Sequence, residues 1–86
     1  MNRAHLQTSP VGHARLLARL PDPTTRRDLR LRAGLSLRHL ADEIGVTSEA
    51  VRQWEIGKRR PSPEMLGPYV VLLDELRALE VQQDLS

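Results

Sequence analysis

The sequence predicts an all-α fold: a compact domain of four to five helices, with a short N-terminal helix and a long C-terminal one. A chain of 86 residues has room for one small hydrophobic core. It contains no Phe, one Trp and one Tyr, so that core must be built from Leu, Val, Ile and Ala. Leu-rich sequence with few β-branched runs favours helix, and the apolar residues recur at helical spacing in short segments that end at Gly or Pro.

The first helix is predicted within "SPVGHARLLARLPDP", where the prolines of "PDP" end it. Its apolar face has the spacing i, i+3, i+4 and i+7 and consists of His13, Leu16, Leu17 and Leu20. The second helix is predicted near residues 26–33. Thr25 and Asp28 have the spacing of a capping box, and Gly34 suits a left-handed cap.

Two short amphipathic helices follow. "SLRHLADEIG" has Ser36 as its N-cap and Gly45 as its stop, and "TSEAVRQWEIG" has Thr47 as its N-cap. Their inward faces are formed by Leu37, Leu40, Ala41 and Ile44 in the first and by Ala50, Val51 and Trp54 in the second. A join made only of Gly45, Val46 and Thr47 is the sequence form of a helix-turn-helix.

Prolines shape the prediction for the C-terminal part. Pro61 and Pro63 frame a loop, and a proline deep within a helix costs about 3 kcal/mol. We therefore predict a single turn at residues 63–66. A new helix would then begin with Pro68 in its first turn and run to about residue 82.

The net charge of +2 hides an uneven distribution. Residues 26–60 carry nine Lys or Arg against five Asp or Glu, whereas residues 61–86 carry one Arg against five acids. The chain therefore has a basic middle and an acidic end. The charge distribution alone is also compatible with an ordinary solvated surface, so the sequence motifs are needed to identify a binding partner.

The segment "RDLRLRAGLSLRHLADEIGVTSEAVRQWEIGKRRPSPEML" resembles the lambda-repressor-like family of helix-turn-helix proteins, also called the Cro/cI or XRE type. The markers, in order, are Arg30, "GLS" at 34–36, "LA" at 40–41, "GV" at 45–46 and "WEIGKRRP" at 54–61. The resemblance implies a DNA-binding domain, with a semi-buried structural ion pair between Arg30 and Glu55. The chain departs from the family at Leu37, where a Gln often helps to hold phosphate, and at Ile56, where Asn is frequent.

The second helix of the helix-turn-helix is predicted to contact DNA bases. Such a helix fits the major groove, and outward polar residues near its N-terminus reach base edges. With Trp54 directed inward as a core residue, the outward residues are Ser48, Glu49, Arg52 and Gln53. Arg can pair with guanine, Gln with adenine and Glu with the cytosine amino group, and Ser suits several bases.

The basic residues that follow this helix are predicted to contact DNA phosphates. Lys58, Arg59 and Arg60 come next to the groove-facing surface, and their role would be positioning rather than base recognition. Arg38 and Thr47 stand at the starts of their helices. They are further candidates for phosphate contact, helped by the helix dipoles.

The residue inventory argues against an enzyme and against a metal site. His5, His13 and His39 lack the spacing of metal ligands, and no Cys is present to complete a site. No Gly-framed nucleophile or phosphate-binding loop accompanies the Ser, His and Asp residues, and we expect no cofactor. The chain has neither a signal-peptide pattern nor an apolar run long enough for a membrane, so a cytoplasmic location is expected.

The sequence therefore predicts a sequence-specific DNA-binding transcriptional regulator, a repressor that binds a palindromic operator as a homodimer. Leu72 and Leu79 are predicted to form the dimer interface, although they could instead cover Leu16, Leu17 and Leu20 within one chain. The alternative function is a protein-interaction module on the same fold, such as an antitoxin or a bridging factor, and a protein co-regulator is a further partner left open. The predicted units are an N-terminal extension with a short helix, a DNA-binding core, and a C-terminal helix for core packing and dimerisation, at residues 1–24, 25–66 and 67–86.

Overall fold

The computed structural model describes residues 9–85, with side chains to residue 82, and this part of the chain contains helices and no strand. In chain order the helices are α1 Pro10–Arg19, α2 Pro23–Arg32, α3 Leu37–Ile44, α4 Ser48–Glu55 and α5 Pro63–Leu85. The predicted all-α fold with a short first helix and a long last one is confirmed. His5 and the first eight residues of the predicted extension lie outside the described residues. None of the helices within residues 9–85 is long and apolar enough to cross a membrane.

The N-caps of α3 and α4 are the predicted ones. The Ser36 hydroxyl accepts a hydrogen bond from the His39 amide at 3.1 Å, and the Thr47 hydroxyl accepts one from the Ala50 amide at 3.1 Å. Gly45 closes α3 in the left-handed conformation with φ +88°, which only glycine adopts at little cost. These three local signals place α3 and α4 on either side of a tight turn.

The predicted start of α2 is wrong. The helix begins at Pro23 rather than near residue 26, and its N-cap is Asp22 rather than Thr25. The Asp22 carboxylate accepts hydrogen bonds from the Thr25 hydroxyl and amide, at 2.5 and 3.2 Å. These bonds hold the pKa of Asp22 below its usual value. Asp caps a helix as well as Thr does, and Pro23 fits the first helical position because its missing N–H would have no partner there.

The predicted break before Pro68 is also wrong, because α5 runs without interruption from Pro63 and contains Pro68 within it. Gly67 reduces the local cost, since it has no Cβ to clash with the proline ring of the following residue. Leu66, Tyr69 and Val70 are fully buried around the proline. Their burial offsets the cost of about 3 kcal/mol that a proline brings to a helix interior.

The long helix α5 is the element against which the domain packs, and α1, α2 and α3 all contact it. Trp54 of α4 meets Tyr69 of α5 at the centre, with ring centroids 4.8 Å apart. The core around this pair consists of Leu29, Leu40, Ala41, Val51, Leu73 and Leu76. The helix α1 has no fully buried residue and lies on the outside of α5. The result is a small core that fixes α4 at the surface with one face outward.

Candidate nucleic-acid interface

A buried ion pair fixes the end of α4. Arg30 of α2 donates hydrogen bonds to both carboxylate oxygens of Glu55, at 2.7 and 2.9 Å, and to the Leu35 carbonyl at 2.9 Å. The two side chains are only 9% and 3% exposed. Hydrogen bonding to Glu55 raises the pKa of Arg30, so the guanidinium stays charged. The pair therefore links α2 to the C-terminal end of α4 at a defined orientation.

The inward face of α4 determines which of its residues face solvent. Val51 and Trp54 are buried in the core. Because helical residues three and four apart share a face, their burial directs the first turn and the opposite side outward. Glu49 and Arg52 are exposed, whereas Ser48 and Gln53 are half-buried. All four predicted base-contacting residues thus retain some access to solvent, with Glu49 and Arg52 the most accessible.

These outward residues form one hydrogen-bonded cluster centred on Glu49. Arg52 donates to the Glu49 carboxylate through Nε at 2.9 Å and through Nη2 at 2.5 Å, and Gln53 donates to it through Nε2 at 2.9 Å. Donation from Arg52, and then from Gln53, lowers the pKa of Glu49 to about 2. The cluster orders two potential base-contacting side chains in advance, and it must open if Arg52 and Gln53 are to donate to bases.

The basic loop after α4, Lys58–Arg59–Arg60, is folded back onto the helix. The amides of Lys58 and Arg59 both donate to the Gln53 carbonyl, at 3.0 and 3.3 Å. Gly57 permits this reversal with φ +74°. All three basic side chains are exposed. The loop therefore presents three positive charges beside the outward face of α4.

A cleft of about 570 Å³ separates this basic loop from α4; we call it the reading cleft. Its polar lining unites most of the predicted contact residues: Thr47, Glu49, Gln53, Lys58, Arg59 and Arg60. The remaining predicted residues, Ser48, Arg52 and Arg38, lie outside this lining. The structure thus brings two of the four predicted base-contacting residues together with four of the five predicted phosphate-contacting residues at one concave surface.

Arg38 and Thr47 differ in what they can offer. Arg38 is exposed on α3, 3.9 Å from the Asp42 carboxylate, and is held only loosely. The Thr47 hydroxyl accepts the capping bond from Ala50, and its hydrogen remains available for donation. Leu37 occupies the position of the family's frequent Gln, and its side chain packs against the core. At this position only the backbone N–H of Leu37 remains for a phosphate.

The residues predicted for dimerisation sit differently on α5. Leu72 is half-buried and packs against the core of its own chain, whereas Leu79 is 48% exposed. The flanking acids are partly neutralised, because Arg19 of α1 pairs with Asp74 and Arg32 of α2 pairs with Glu80. These ion pairs attach α1 and α2 to α5. Leu79 is therefore the accessible member of the predicted interface.

Two residues of structural or chemical interest were not predicted. His39 accepts a hydrogen bond from the Ser36 amide through Nδ1 at 3.0 Å and completes a capping box in which His replaces the usual Glu or Gln. Arg26 is buried against Tyr69. Its spacing to Leu29 and Arg30, at i+3 and i+4, is the sequence signal that could have placed it on the inward face of α2.

Comparison with known proteins agrees with this geometry. A family model described as "Helix-turn-helix", of the XRE or lambda-repressor-like type, matches residues 27–74, which is more than half of the chain. No curated protein and no solved structure matches the chain. The matched segment includes α3, α4, the basic loop and the Arg30–Glu55 pair. The chain therefore belongs to the XRE-type helix-turn-helix family, and it carries a domain of the kind that binds DNA in transcriptional regulators.

Proposed function

We propose that the protein is a sequence-specific transcriptional repressor that binds a palindromic operator as a homodimer. The observation that carries this proposal is the reading cleft, where the outward face of α4 and three loop cations lie at one surface. A helix with exposed polar residues suits the major groove, and flanking cations suit the phosphates on either side of it. A repressor of this kind would act by occupying its site.

Base recognition is assigned to the first two turns of α4. Arg52 offers a fork of donors to guanine, Gln53 can pair with adenine, and Glu49 can accept from cytosine. In the free protein Glu49 holds Arg52 and Gln53 in one cluster. We infer that only a base edge with matching donors and acceptors replaces those bonds without loss. The cluster would therefore contribute to discrimination between sequences as well as to affinity.

Phosphate contact is assigned to Lys58, Arg59 and Arg60, with Thr47 at the start of α4 and Arg38 on α3 as outer contacts. The loop cations are exposed, and Lys58 and Arg59 are tied to the Gln53 carbonyl through their amides. Their backbone position is thus fixed relative to the base-contacting helix. Such contacts set the position of the helix on the duplex without selecting a sequence.

The salt dependence of DNA binding tests the phosphate assignment. We expect log K to fall steeply and linearly with log salt for wild type on a random duplex, by about 0.9 unit per phosphate contact. Arg59→Ala should weaken binding to every duplex and reduce that slope by about one unit. The matched control is Arg77→Ala, an exposed arginine on α5, which should change neither quantity. Absence of salt-dependent DNA binding by the wild type would contradict the proposed DNA binding. Equal effects of Arg59→Ala and Arg77→Ala would contradict it as well.

Dimerisation through α5 follows from the need for more contacts than one small domain supplies. Two copies related by a two-fold axis would place two α4 helices about 34 Å apart, one turn of DNA. Leu79 is exposed on α5, which gives a second copy an apolar residue to cover. Leu72 lies one heptad earlier on the same face but packs against its own core, so it contributes only its exposed part.

Sedimentation of wild type and Leu79→Glu tests the interface. Wild type should be dimeric at tens of micromolar, and Leu79→Glu should be monomeric with unchanged helix content. Val81→Glu is the matched control. Val81 is also exposed, but it lies two residues after Leu79 and therefore points to another side of α5. A double variant Leu72→Glu, Leu79→Glu would be less informative, since Leu72 also packs against the core. A monomeric wild type would contradict the proposed homodimer.

The second candidate function is a protein-interaction module, such as an antitoxin or bridging factor, or a regulator with a protein co-regulator. It is supported by the exposed Val71 and Leu79 on α5, which a partner protein could cover. The salt titration separates the two, because a pure protein-binding module would show no steep dependence on salt with DNA. The cytoplasmic location expected from the sequence stays a prediction.

A further inference from the structure

Arg26 is a buried cation without a carboxylate partner among the described residues. It is 6% exposed, and its Nε and Nη1 atoms have no hydrogen-bond partner within residues 9–82. Its guanidinium carbon lies 5.8 Å from the centre of the Tyr69 ring, whose hydroxyl is also buried without a partner there. An aromatic face compensates a desolvated cation only in part, so Arg26 retains a strong preference for an anion.

Arg26 lines a second cleft, of about 380 Å³, between α1, the start of α2 and the basic loop; we call it the arginine cleft. Its charged lining consists of Arg26, Arg59 and Arg60, and its apolar lining consists of Leu17, Leu20 and Pro23. No acidic residue of the described chain lines it. The arginine cleft therefore combines a cluster of positive charge with an apolar wall.

We propose that the arginine cleft binds a small organic anion, a phosphate or carboxylate carried on a short apolar body. The charge of the head group would be balanced by Arg26 and by the two loop arginines, which form strong charge-assisted hydrogen bonds to such groups. The body would cover the half-buried Leu17 and Leu20. The cleft volume falls within the range of about 300–1,000 Å³ that is usual for small-molecule sites.

A DNA phosphate fits the arginine cleft less well. The duplex backbone is bulky and hydrated, and its contacts are made by exposed side chains, as in the basic loop. Arg26 is almost fully buried and lies among apolar groups. A small ligand can enter such a cleft and bring an apolar surface with it, whereas a duplex backbone brings only sugar and phosphate.

Occupancy of the arginine cleft would affect DNA binding, and this consequence rests on the proposed function. Arg59 and Arg60 line both the arginine cleft and the reading cleft. An anion held between them and Arg26 would withdraw two cations from DNA phosphates. The ligand and DNA would then compete: the ligand would lower the affinity for DNA, and by reciprocity DNA would lower the affinity for the ligand. Ligand binding itself requires no DNA.

Heteronuclear NMR of the free protein tests the site with defined probes. The probes are n-butyl phosphate, hexanoate, inorganic phosphate and n-butanol, each titrated to about 10 mM, where a millimolar dissociation constant is measurable. We expect saturable shifts of the Arg26 Nε–H and the Gly57 amide with n-butyl phosphate or hexanoate. Binding of inorganic phosphate should be at least about tenfold weaker, and n-butanol should cause no shift.

Variants decide whether Arg26 holds the anion. Arg26→Met keeps an unbranched side chain against Tyr69 and removes the charge, and it should weaken binding at least about tenfold. Arg60→Ala, on an exposed loop where folding is not at risk, should weaken it as well. Arg27→Ala is the matched control, because Arg27 is exposed on α2 and does not line the cleft.

Three results would overturn the proposal. The first is the absence of saturable shifts with both organic anions, and the second is equal binding by wild type and Arg60→Ala. The third is binding of inorganic phosphate as tight as that of n-butyl phosphate, since the apolar wall would then have no role. A random DNA duplex that shifts the Arg26 Nε–H and leaves the organic anions without effect would assign the cleft to the DNA backbone instead. The titrations with organic anions are read without DNA, so their failure leaves the DNA-binding proposal untouched.

Discussion

The two ends of α4 each carry a carboxylate bound by an arginine, and the two pairs differ in burial. At the C-terminal end, Glu55 accepts two hydrogen bonds from Arg30 of another helix, with side chains 3% and 9% exposed. At the N-terminal end, Glu49 accepts hydrogen bonds from Nε and Nη2 of Arg52 on the same helix, with side chains 59% and 47% exposed. The geometry of the bonds is similar, so burial and connectivity must separate their roles.

Burial makes the Glu55 pair structural. Removal of one partner would leave a desolvated charge, which water cannot reach. The Glu49 pair can be broken at small cost because water or a base edge replaces the lost bonds. One short helix thus has a C-terminal end that sets its position and an N-terminal end whose bonds are free to be exchanged for contacts with a ligand.

The largest expected effect comes from breaking the buried pair. Glu55→Ala should lower the free energy of unfolding by about 3–5 kcal/mol, because Arg30 would remain charged and buried without its partner. Urea unfolding followed by circular dichroism measures the change. A domain of this size has a total stability of about 5–15 kcal/mol, so the milder Glu55→Gln is included in case the Ala variant is largely unfolded.

The matched control for that change is Glu49→Ala, which removes a carboxylate with similar bonds from the exposed end. Its unfolding midpoint should fall much less than that of Glu55→Ala, because an exposed ion pair contributes little to stability. The double variant Arg30→Met, Glu55→Leu should recover much of the loss, since no unpaired charge is left. Equal destabilisation by Glu55→Ala and Glu49→Ala would show that burial does not separate the two pairs.

The second effect concerns DNA. Arg52→Ala should leave stability unchanged and weaken binding to a preferred sequence by roughly tenfold to a hundredfold, with preference relaxed at one base position. Gln53→Ala should act in the same way at another position. Fluorescence anisotropy with the preferred duplex and a scrambled one measures the affinity for each duplex, and their ratio gives the sequence preference. A variant that loses the same factor on both duplexes would have lost a phosphate contact rather than a base contact.

A smaller and opposite effect is expected for Glu49→Gln. The change removes a negative charge from the face that we propose for DNA contact, so affinity for a scrambled duplex should rise about threefold at low salt. The ratio between preferred and scrambled duplexes should fall, because Arg52 and Gln53 would be less restrained. The same anisotropy assay at two salt concentrations measures both. Weaker binding to the scrambled duplex would show that Glu49 does not oppose phosphate approach.

The smallest effect is the titration of Glu49 itself. Its pKa of about 2 in the folded protein lies below the usual value of 4.5, so the charged form is favoured by folding. The resulting stabilisation is present above the ordinary pKa and is lost as the pH falls from about 4.5 towards 2. Carbon-detected NMR of the side-chain carboxyl should show a midpoint well below 4.5. A midpoint near 4.5 would mean that the cluster is open in solution.

The parts of the fold that depend on neighbouring residues alone could be predicted. Ser36, Gly45 and Thr47 act on adjacent amides, and their effects need no knowledge of the core. Pro68 could not be placed in the same way, because α5 continues through it only where Leu66 and Tyr69 are buried by other helices. For α2, capping-box spacing favoured Thr25, but Asp and Thr are both good N-cap residues, and only the structure shows that Asp22 caps the helix.

The candidate site shows the same division. The outward face of α4 follows from helical spacing, and the Glu49–Arg52 bond could have been predicted from its i, i+3 spacing. The arginine cleft could not, because it depends on α1 and on the loop meeting the start of α2. A buried arginine without a carboxylate also contradicts the usual expectation for charged residues. Only the packed structure shows that Arg26 is buried without a carboxylate partner among the described residues.

Selection of bound sequences from a random DNA pool tests most directly whether the exposed end of α4 recognises bases. Wild type should enrich one motif with two half-sites in inverted repeat, spaced by about one helical turn. Arg52→Ala should enrich a motif that has lost preference at one position in each half-site, whereas the control Arg77→Ala should enrich the wild-type motif. Failure of wild type to enrich any motif, or an identical motif for wild type and Arg52→Ala, would contradict base recognition by this end of α4.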